Sequence, residues 1–143
     1  MTQPAATTAT IIPTLRYRKA LEMIDWLGKA FGFTPHAVYA EGEVVHHAQL
    51  VFGNGMIMLG SAQADSEWGQ FSAQPDEVGG RNTHGCCVIV DDADAHHERA
   101  LAAGAEIVIP ISDQDYGGRG YAARDPEGFV WWFGSYDPWV GSK

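Results

Sequence analysis

Residues 125–135 read Asp-Pro-Glu-Gly-Phe-Val-Trp-Trp-Phe-Gly-Ser. Asp125-Pro-Glu-Gly128 has the chemistry of a tight turn: an Asp that caps its own backbone, a Pro that presets φ, and a Gly that closes. Phe129 to Ser135 behind it is a short apolar run, the length of one buried strand. With Gly120 to Arg124 in front, the stretch predicts a hairpin. An earlier stretch has the same form. Gly53-Asn-Gly55 is a turn signal, and Met56-Ile-Met-Leu-Gly-Ser61 follows it as Val130-Trp-Trp-Phe-Gly-Ser135 follows the later turn.

Working outward, the likeness continues. Ala30-Phe-Gly-Phe33 matches Ala102-Ala-Gly-Ala105, and Tyr17 before one helix matches Val90 before the next. The offset stays near 73 residues. Ile11 to Tyr17 reads as a strand. Arg18 to Phe31 then places apolar residues at 20, 23, 24, 27 and 31, the spacing of one helical face, and Gly32 stops it. Strands follow at His36–Ala40, Glu43–Phe52 and Met56–Gly60. The second half runs Cys86–Val90, a helix capped by Asp91 or Asp92 and ended by Gly104, then Glu106–Ile111, Gly120–Arg124 and Phe129–Ser135. Three matches in one order argue for a duplicated β-α-β-β-β unit. The polar stretch between the halves reads as a linker, with Trp68 and Phe71 too large to leave in water without a reason.

The composition fits this reading. The chain has 143 residues, 45% hydrophobic and 19% charged, enough for a core without staples. Net charge is −9, and no basic patch offsets it, which argues against nucleic acid. No apolar run reaches the roughly 18 residues of a membrane span, and Met1-Thr-Gln-Pro has no signal-peptide character. A cytoplasmic protein is expected. Cys86 and Cys87 are adjacent, a poor geometry for a disulfide, so a reduced compartment fits.

On Ile12-Pro-Thr-Leu-Arg-Tyr17, Ala30-Phe-Gly-Phe33, Gly53-Asn-Gly55, Val90-Asp-Asp92, Ala103-Gly-Ala105 and Asp125-Pro-Glu-Gly128, the chain resembles the vicinal oxygen chelate superfamily. That group holds glyoxalase I, extradiol dioxygenases and bleomycin-resistance proteins. Within the group it looks like the small bacterial proteins of the PhnB type. The resemblance implies an α+β fold of two tandem βαβββ modules, with curled mixed sheets around a central cleft, commonly in a homodimer. The expected division is an arm at 1–10, module 1 at 11–61, a linker at 62–83, module 2 at 84–136 and a tail at 137–143. Residues 11–136 then form one such domain. Sheet edges and Trp-bearing ends that a second copy would cover also favour a homodimer.

Metal-dependent members place four ligands on the inward faces of the first and last strands. A divalent ion there wants imidazole and carboxylate at about 2.0–2.3 Å. The corresponding positions here are Ile12, Met58, Gly85 and Trp132, none of them such a ligand. His84 lies one step from Gly85 and so on the other face. No metal and no cofactor are expected.

Strand alternation then groups Met56, Met58, Val130, Trp132, Arg16 and Cys87 on the inward faces. Leu15, Tyr17, Ile57, Leu59, Cys86, Val88, Trp131 and Phe133 are expected beneath the helices. An aromatic, apolar wall with one Arg suits a flat or amphipathic small molecule. Trp68, Tyr121 and Trp139 are expected to close the mouth of the pocket, and Arg119 and Tyr121 to reach the ligand from a Gly-rich loop. His47 is the candidate general base, ahead of His46. His96 and His97 are expected on a solvated helix face, and the cysteines as small buried hydrophobes.

The reading from sequence is a small-molecule-binding protein of the resistance or sequestration type, without metal. Two alternatives stand beside it. One is an enzyme (lyase, isomerase or dioxygenase) using displaced metal ligands or acid–base chemistry by His47 with Arg16 or Tyr121. The other is an interaction domain whose cavity is filled.

Overall fold

A computed structural model describes residues 3, 5–63 and 65–141. Residues 1, 2, 4, 64, 142 and 143, which include parts of the expected arm, linker and tail, lie outside the described residues. The first half contains β1 (Thr14–Tyr17), α1 (Ala20–Phe31), β2 (Thr34–Glu41), β3 (Val44–Phe52) and β4 (Gly55–Ser61). The second contains β5 (Cys86–Ile89), α2 (Ala93–Ala102), β6 (Glu106–Asp113), β7 (Arg119–Arg124) and β8 (Val130–Gly134). The sheets run β1-β4-β3-β2 and β5-β8-β7-β6, the same order twice. In each, the strand before the helix runs parallel to the last strand, and the other pairs are antiparallel. The fold is α+β, βαβββ in tandem.

The chain divides into two compact units, residues 1–28 with 32–72, and residues 29–31 with 73–143. The division falls inside the stretch expected as a plain linker, and that stretch is partly built. Trp68–Phe71 and Pro75–Val78 are 3-10 turns. The second is closed by a reciprocal cap, in which the Gln74 backbone N–H donates to Glu77 Oε1 at 2.7 Å. Asn82 holds β8 as a strand partner would. Its Nδ2 donates to the Val130 carbonyl at 2.7 Å, and its Oδ1 accepts from the Val130 N–H at 3.0 Å. Polar composition alone concealed these bonds.

In the first unit, alternation decides burial. Leu15, Tyr17, Leu50, Ile57 and Leu59 are buried, while Arg16, Met56 and Met58 on the opposite face are half-buried. Helix α1 buries Ala20, Met23, Ile24 and Leu27 at helical spacing, and Gly32 ends it.

The second unit is organised by an aromatic core. The last turn of α1 belongs to it: Phe31 lies 4.5 Å from the Phe133 ring and 5.5 Å from Trp131. Phe133 in turn stacks on Tyr121 at 5.4 Å. Beneath the hairpin turn, the buried Asp125 carboxylate accepts from the Glu127 and Phe129 N–H groups and from the Trp131 indole, at 3.0, 3.1 and 3.0 Å. Helix α2 starts at Asp92, whose Oδ1 accepts the Ala95 N–H at 3.0 Å.

His96 corrects the expectation of a solvated helix face. It is half-buried, 4.3 Å from the Phe133 ring. Its Nε2–H donates to the Phe31 carbonyl at 2.8 Å, so its Nδ1 accepts from the Tyr121 hydroxyl at 2.6 Å. The core needs the half of the α2 surface that periodicity in a mostly polar helix does not reveal.

Burial lowers the pKa of His96, and the nearby Arg99 adds to this against the hydrogen bond to Phe31. The folded state therefore favours the neutral ring, and the unfolded chain takes up the proton first. The stabilising contribution is complete above the ordinary value of 6.5 and is lost as pH falls from there through the lower, folded pKa. Urea unfolding between pH 7.5 and 5.5 is expected to show falling stability, with a smaller fall in His96→Phe. Equal slopes in the two proteins would contradict this.

Candidate functional site

Each sheet has one face that is not closed by its own core. In the first unit, the register sets Thr14 beside Met58 and Met58 beside Gln49. One step along, Arg16 pairs with Gly60, and Tyr39 pairs with His47. Partners in register share a face, so these residues stand together. A Cβ built on Gly60 would lie 2.5 Å from Arg16 Nη1. A guanidinium nitrogen thus sits over a residue with no side chain. His47 is half-buried, accepts from the Gln49 amide at 3.0 Å and stacks on Tyr39 with centroids 6.1 Å apart.

The second unit repeats the device with an indole. Trp132 pairs with Cys87 on one side and Ala122 on the other, and Ala122 pairs with Ile109. Here too a glycine floor lies beneath: a Cβ on Gly120 would lie 2.6 Å from Trp132 Cζ2, and one on Gly134 3.0 Å from its Nε1. The half-buried indole lies along the sheet, and Cys87, Ile89 and Ile109 beside it are exposed. Val130 shares this face two residues before Trp132, next to the Arg124–Glu106 ion pair at 3.3 Å. The result is a flat, apolar platform.

Several sequence-selected residues stand elsewhere. Tyr121 is corrected: it pairs with Phe133, not Trp132, and is fully buried on the face that α2 covers. Burial pushes its phenol pKa strongly upward, so it is a neutral donor. Arg119 is drawn away from a ligand role by Asp94 at 3.0 Å and Asp113 at 3.3 Å. Trp68 stays 65% exposed on its 3-10 turn, and Trp139 is 91% exposed. His46 points off the His47 face to Glu41 at 2.7 Å. The cysteines correct the expectation of buried hydrophobes, since Cys86 is half-buried and Cys87 exposed, and partial desolvation raises the thiol pKa of both. The sequence reading passed over Tyr39, Gln49, Ile109 and the three floor glycines. Only the repeated Gly-Ser closing β4 and β8 hinted at the last.

The fold implies a test for a divalent ion. Met58 lies on the half-buried face of the first sheet, and Trp132 on the platform of the second. Gly85 and the exposed His84 lie just before β5, outside the strand. With Ile12, these positions supply no imidazole and no carboxylate. Among the described residues, no group of three or more His, Cys, Asp or Glu comes together to hold a metal. The residues do not fit the ion.

Comparison with known proteins agrees with the fold. A family profile described as the glyoxalase/bleomycin resistance protein/dioxygenase superfamily matches residues 11–133. An uncharacterized protein of Mycobacterium bovis is 32% identical over 129 residues, covering 85% of this chain and 80% of that protein. The crystal structure of TioX from Micromonospora sp. ML1 is 33% identical, covers 87% and 95% of the two chains, and superposes with a TM-score of 0.69. The fosfomycin resistance protein FosX from Listeria monocytogenes, complexed with Mn(II) and sulfate, is 13% identical. It covers 91% of each chain with a TM-score of 0.64, a likeness of fold alone. No helix among the described residues is long and apolar enough to cross a membrane.

The glycine floor makes a direct prediction. In Gly120→Ala the new methyl would meet Trp132 Cζ2 at 2.6 Å and the Phe133 carbonyl oxygen at 2.9 Å. A loss of about 1–3 kcal/mol is expected in urea denaturation. An unchanged midpoint would show that the indole does not lie on this floor.

Proposed function

Because the chain belongs to the glyoxalase/bleomycin resistance protein/dioxygenase superfamily, we propose that it uses this fold to bind a small planar molecule, without a resident metal ion. In this reading it sequesters the ligand and makes or breaks no bond. The observation that carries the proposal is Trp132: a position that binds metal in metal-dependent relatives holds an indole laid flat on Gly120 and Gly134. A flat ring stacked there gains about 0.5–1.5 kcal/mol beyond the area it buries. Cys87 and Val130 flank the platform as ligand contacts. On the first unit, the proposal assigns Arg16, Met56 and Met58 to ligand contact, and Trp68 to covering it. The enzyme reading is weaker, since Tyr121 is buried and no alternative metal ligands gather among the described residues.

The neutral planar probe 1-naphthamide tests the platform by calorimetry. Trp132→Leu is expected to weaken its binding by about five- to thirtyfold, the equivalent of about 1–2 kcal/mol. Equal affinities would remove the indole from the site. Titration with Mn(II) and Zn(II) is expected to give no tight one-to-one complex, and such a complex would overturn the metal-free reading.

The proposal extends to a homodimer. Strands β2 and β6 are sheet edges. Their Tyr39 and Ile109 are 59% and 49% exposed, and Trp139 and Val140 are 91% and 71% exposed. Unpaired edges and apolar ends of this kind call for a partner surface. Light scattering is expected to give twice 15.5 kDa. A monomer mass at micromolar concentration would refute the dimer.

A further inference from the structure

We propose that the platform of the second sheet selects a planar ligand with a neutral, carbonyl-type oxygen at the rim of its ring. The Trp132 indole N–H is the donor that recognises this oxygen. The inference rests on the small-molecule-binding reading and names the chemical class of the ligand at that same site.

Two adjacent residues carry indoles, and their N–H groups differ in what they meet. Trp131 is buried, and its Nε1–H donates to Asp125 Oδ2 at 3.0 Å. Trp132 is half-buried on the other face, and among the described residues no acceptor takes its Nε1–H. Every buried side-chain nitrogen or oxygen among the described residues has a partner, so this unpartnered nitrogen is one that solvent reaches. An indole N–H donates and never accepts. A ring laid on the platform displaces the solvent that serves it. A ligand without an acceptor there leaves the donor unpaired, which costs binding, and a ligand with one restores the bond.

The glycine floor fixes where that acceptor has to be. Cβ atoms on Gly120 and Gly134 would lie 2.6 Å from Trp132 Cζ2 and 3.0 Å from its Nε1. These two ring atoms belong to one edge of the indole, and that edge overhangs the glycines. Gly120 and Gly134 pair with each other, so no side chain rises from the floor at this point to take the N–H. The N–H lies in the indole plane, whereas a stacked ring lies above it. An acceptor inside the stacked ring is badly aimed, and an exocyclic oxygen projecting past the rim can meet the N–H at the edge.

The neighbours set the charge of the ligand. Cys87, Ala122 and Ile109 beside the indole offer a weak thiol donor and apolar surface. Arg124, opposite Val130, is already held. Its Nη1 donates to the Gly80 and Gly128 carbonyls at 2.9 and 3.2 Å, and its Nε lies 3.3 Å from Glu106 Oε1. A charged oxygen group on the ligand would find this guanidinium neutralised and the Glu106 carboxylate beside it. A neutral oxygen needs only a donor, which the indole supplies.

The matched probes 1-acetylnaphthalene and 1-isopropenylnaphthalene test this, since they differ by C=O against C=CH2 at nearly equal shape. The indole resonances of the nitrogen-15-labelled full chain are followed by NMR, with Trp132 assigned through its nuclear Overhauser contacts to Gly120 and Gly134. In the free protein the Trp132 indole proton is expected to exchange with solvent faster than that of Trp131. Saturating ketone is expected to slow this exchange and to place the Trp132 proton downfield of its position with the alkene. The ketone-to-alkene affinity ratio is expected to be about fivefold or more higher in the wild type than in Trp132→Phe. Comparing ratios cancels the different hydration of the two probes and any general weakening by the substitution. The shift and exchange measurements use the wild-type chain and decide the matter even if Trp132→Phe fails to fold. Both probes binding on the indole with no downfield displacement by the ketone, or with equal ratios in the two proteins, would overturn the inference and leave the platform standing. Neither probe perturbing the Trp132 indole would remove the platform as well. 1-Naphthoate is expected to bind more weakly than the ketone, and tighter binding with the same downfield displacement would overturn the neutral class.

Discussion

The second sheet depends on the buried carboxylate of Asp125. One oxygen gathers the backbone N–H groups of Glu127 and Phe129, which closes the turn, and the other takes the Trp131 indole N–H. A buried charge is tolerable only when its acceptor sites are filled, and here the chain that follows fills them. The register of β8 follows from that bond. Trp131 is drawn to the core face, so Trp132 must take the other. A slip of one residue would exchange the two tryptophans, stranding a charge and emptying the platform.

Both half-buried faces use the same construction. A large side chain reaches over residues that have none: an Arg16 guanidinium nitrogen over Gly60, the Trp132 indole over Gly120 and Gly134. A side chain standing upright would project from the sheet. Laid down, it presents its face or its edge instead. The duplication is thus preserved in geometry and altered in chemistry, with an arginine over a glycine on one sheet and an indole over two glycines on the other.

Some of this was legible in the chain and some was not. The hairpin, both helices and all eight strands follow from turn residues and periodicity, because these are local preferences. The face of Trp132 followed as well, since alternation propagates along a strand without error. Tyr121 did not, because it sits in a Gly-rich approach to its strand where local sequence permits either side. Its burial depends on the cross-strand pair with Phe133. His96 failed for the opposite reason. Its helix is mostly polar, and only the neighbouring Phe31 carbonyl and Tyr121 hydroxyl make a buried imidazole affordable.

The sequence by itself determined the duplicated βαβββ order, the positions of turns and caps, and the lack of metal-ligand types at Ile12, Met58, Gly85 and Trp132. These are properties of single residues and short spacings, and they hold whatever the chain packs against. Tertiary structure alone decided which side chains lie on glycine floors, that Gln49 sets the proton of His47, and that Asp125 selects the Trp131 face. Each of these depends on residues brought together from different strands or across a turn, where strand register, rather than proximity in sequence, chooses the partner.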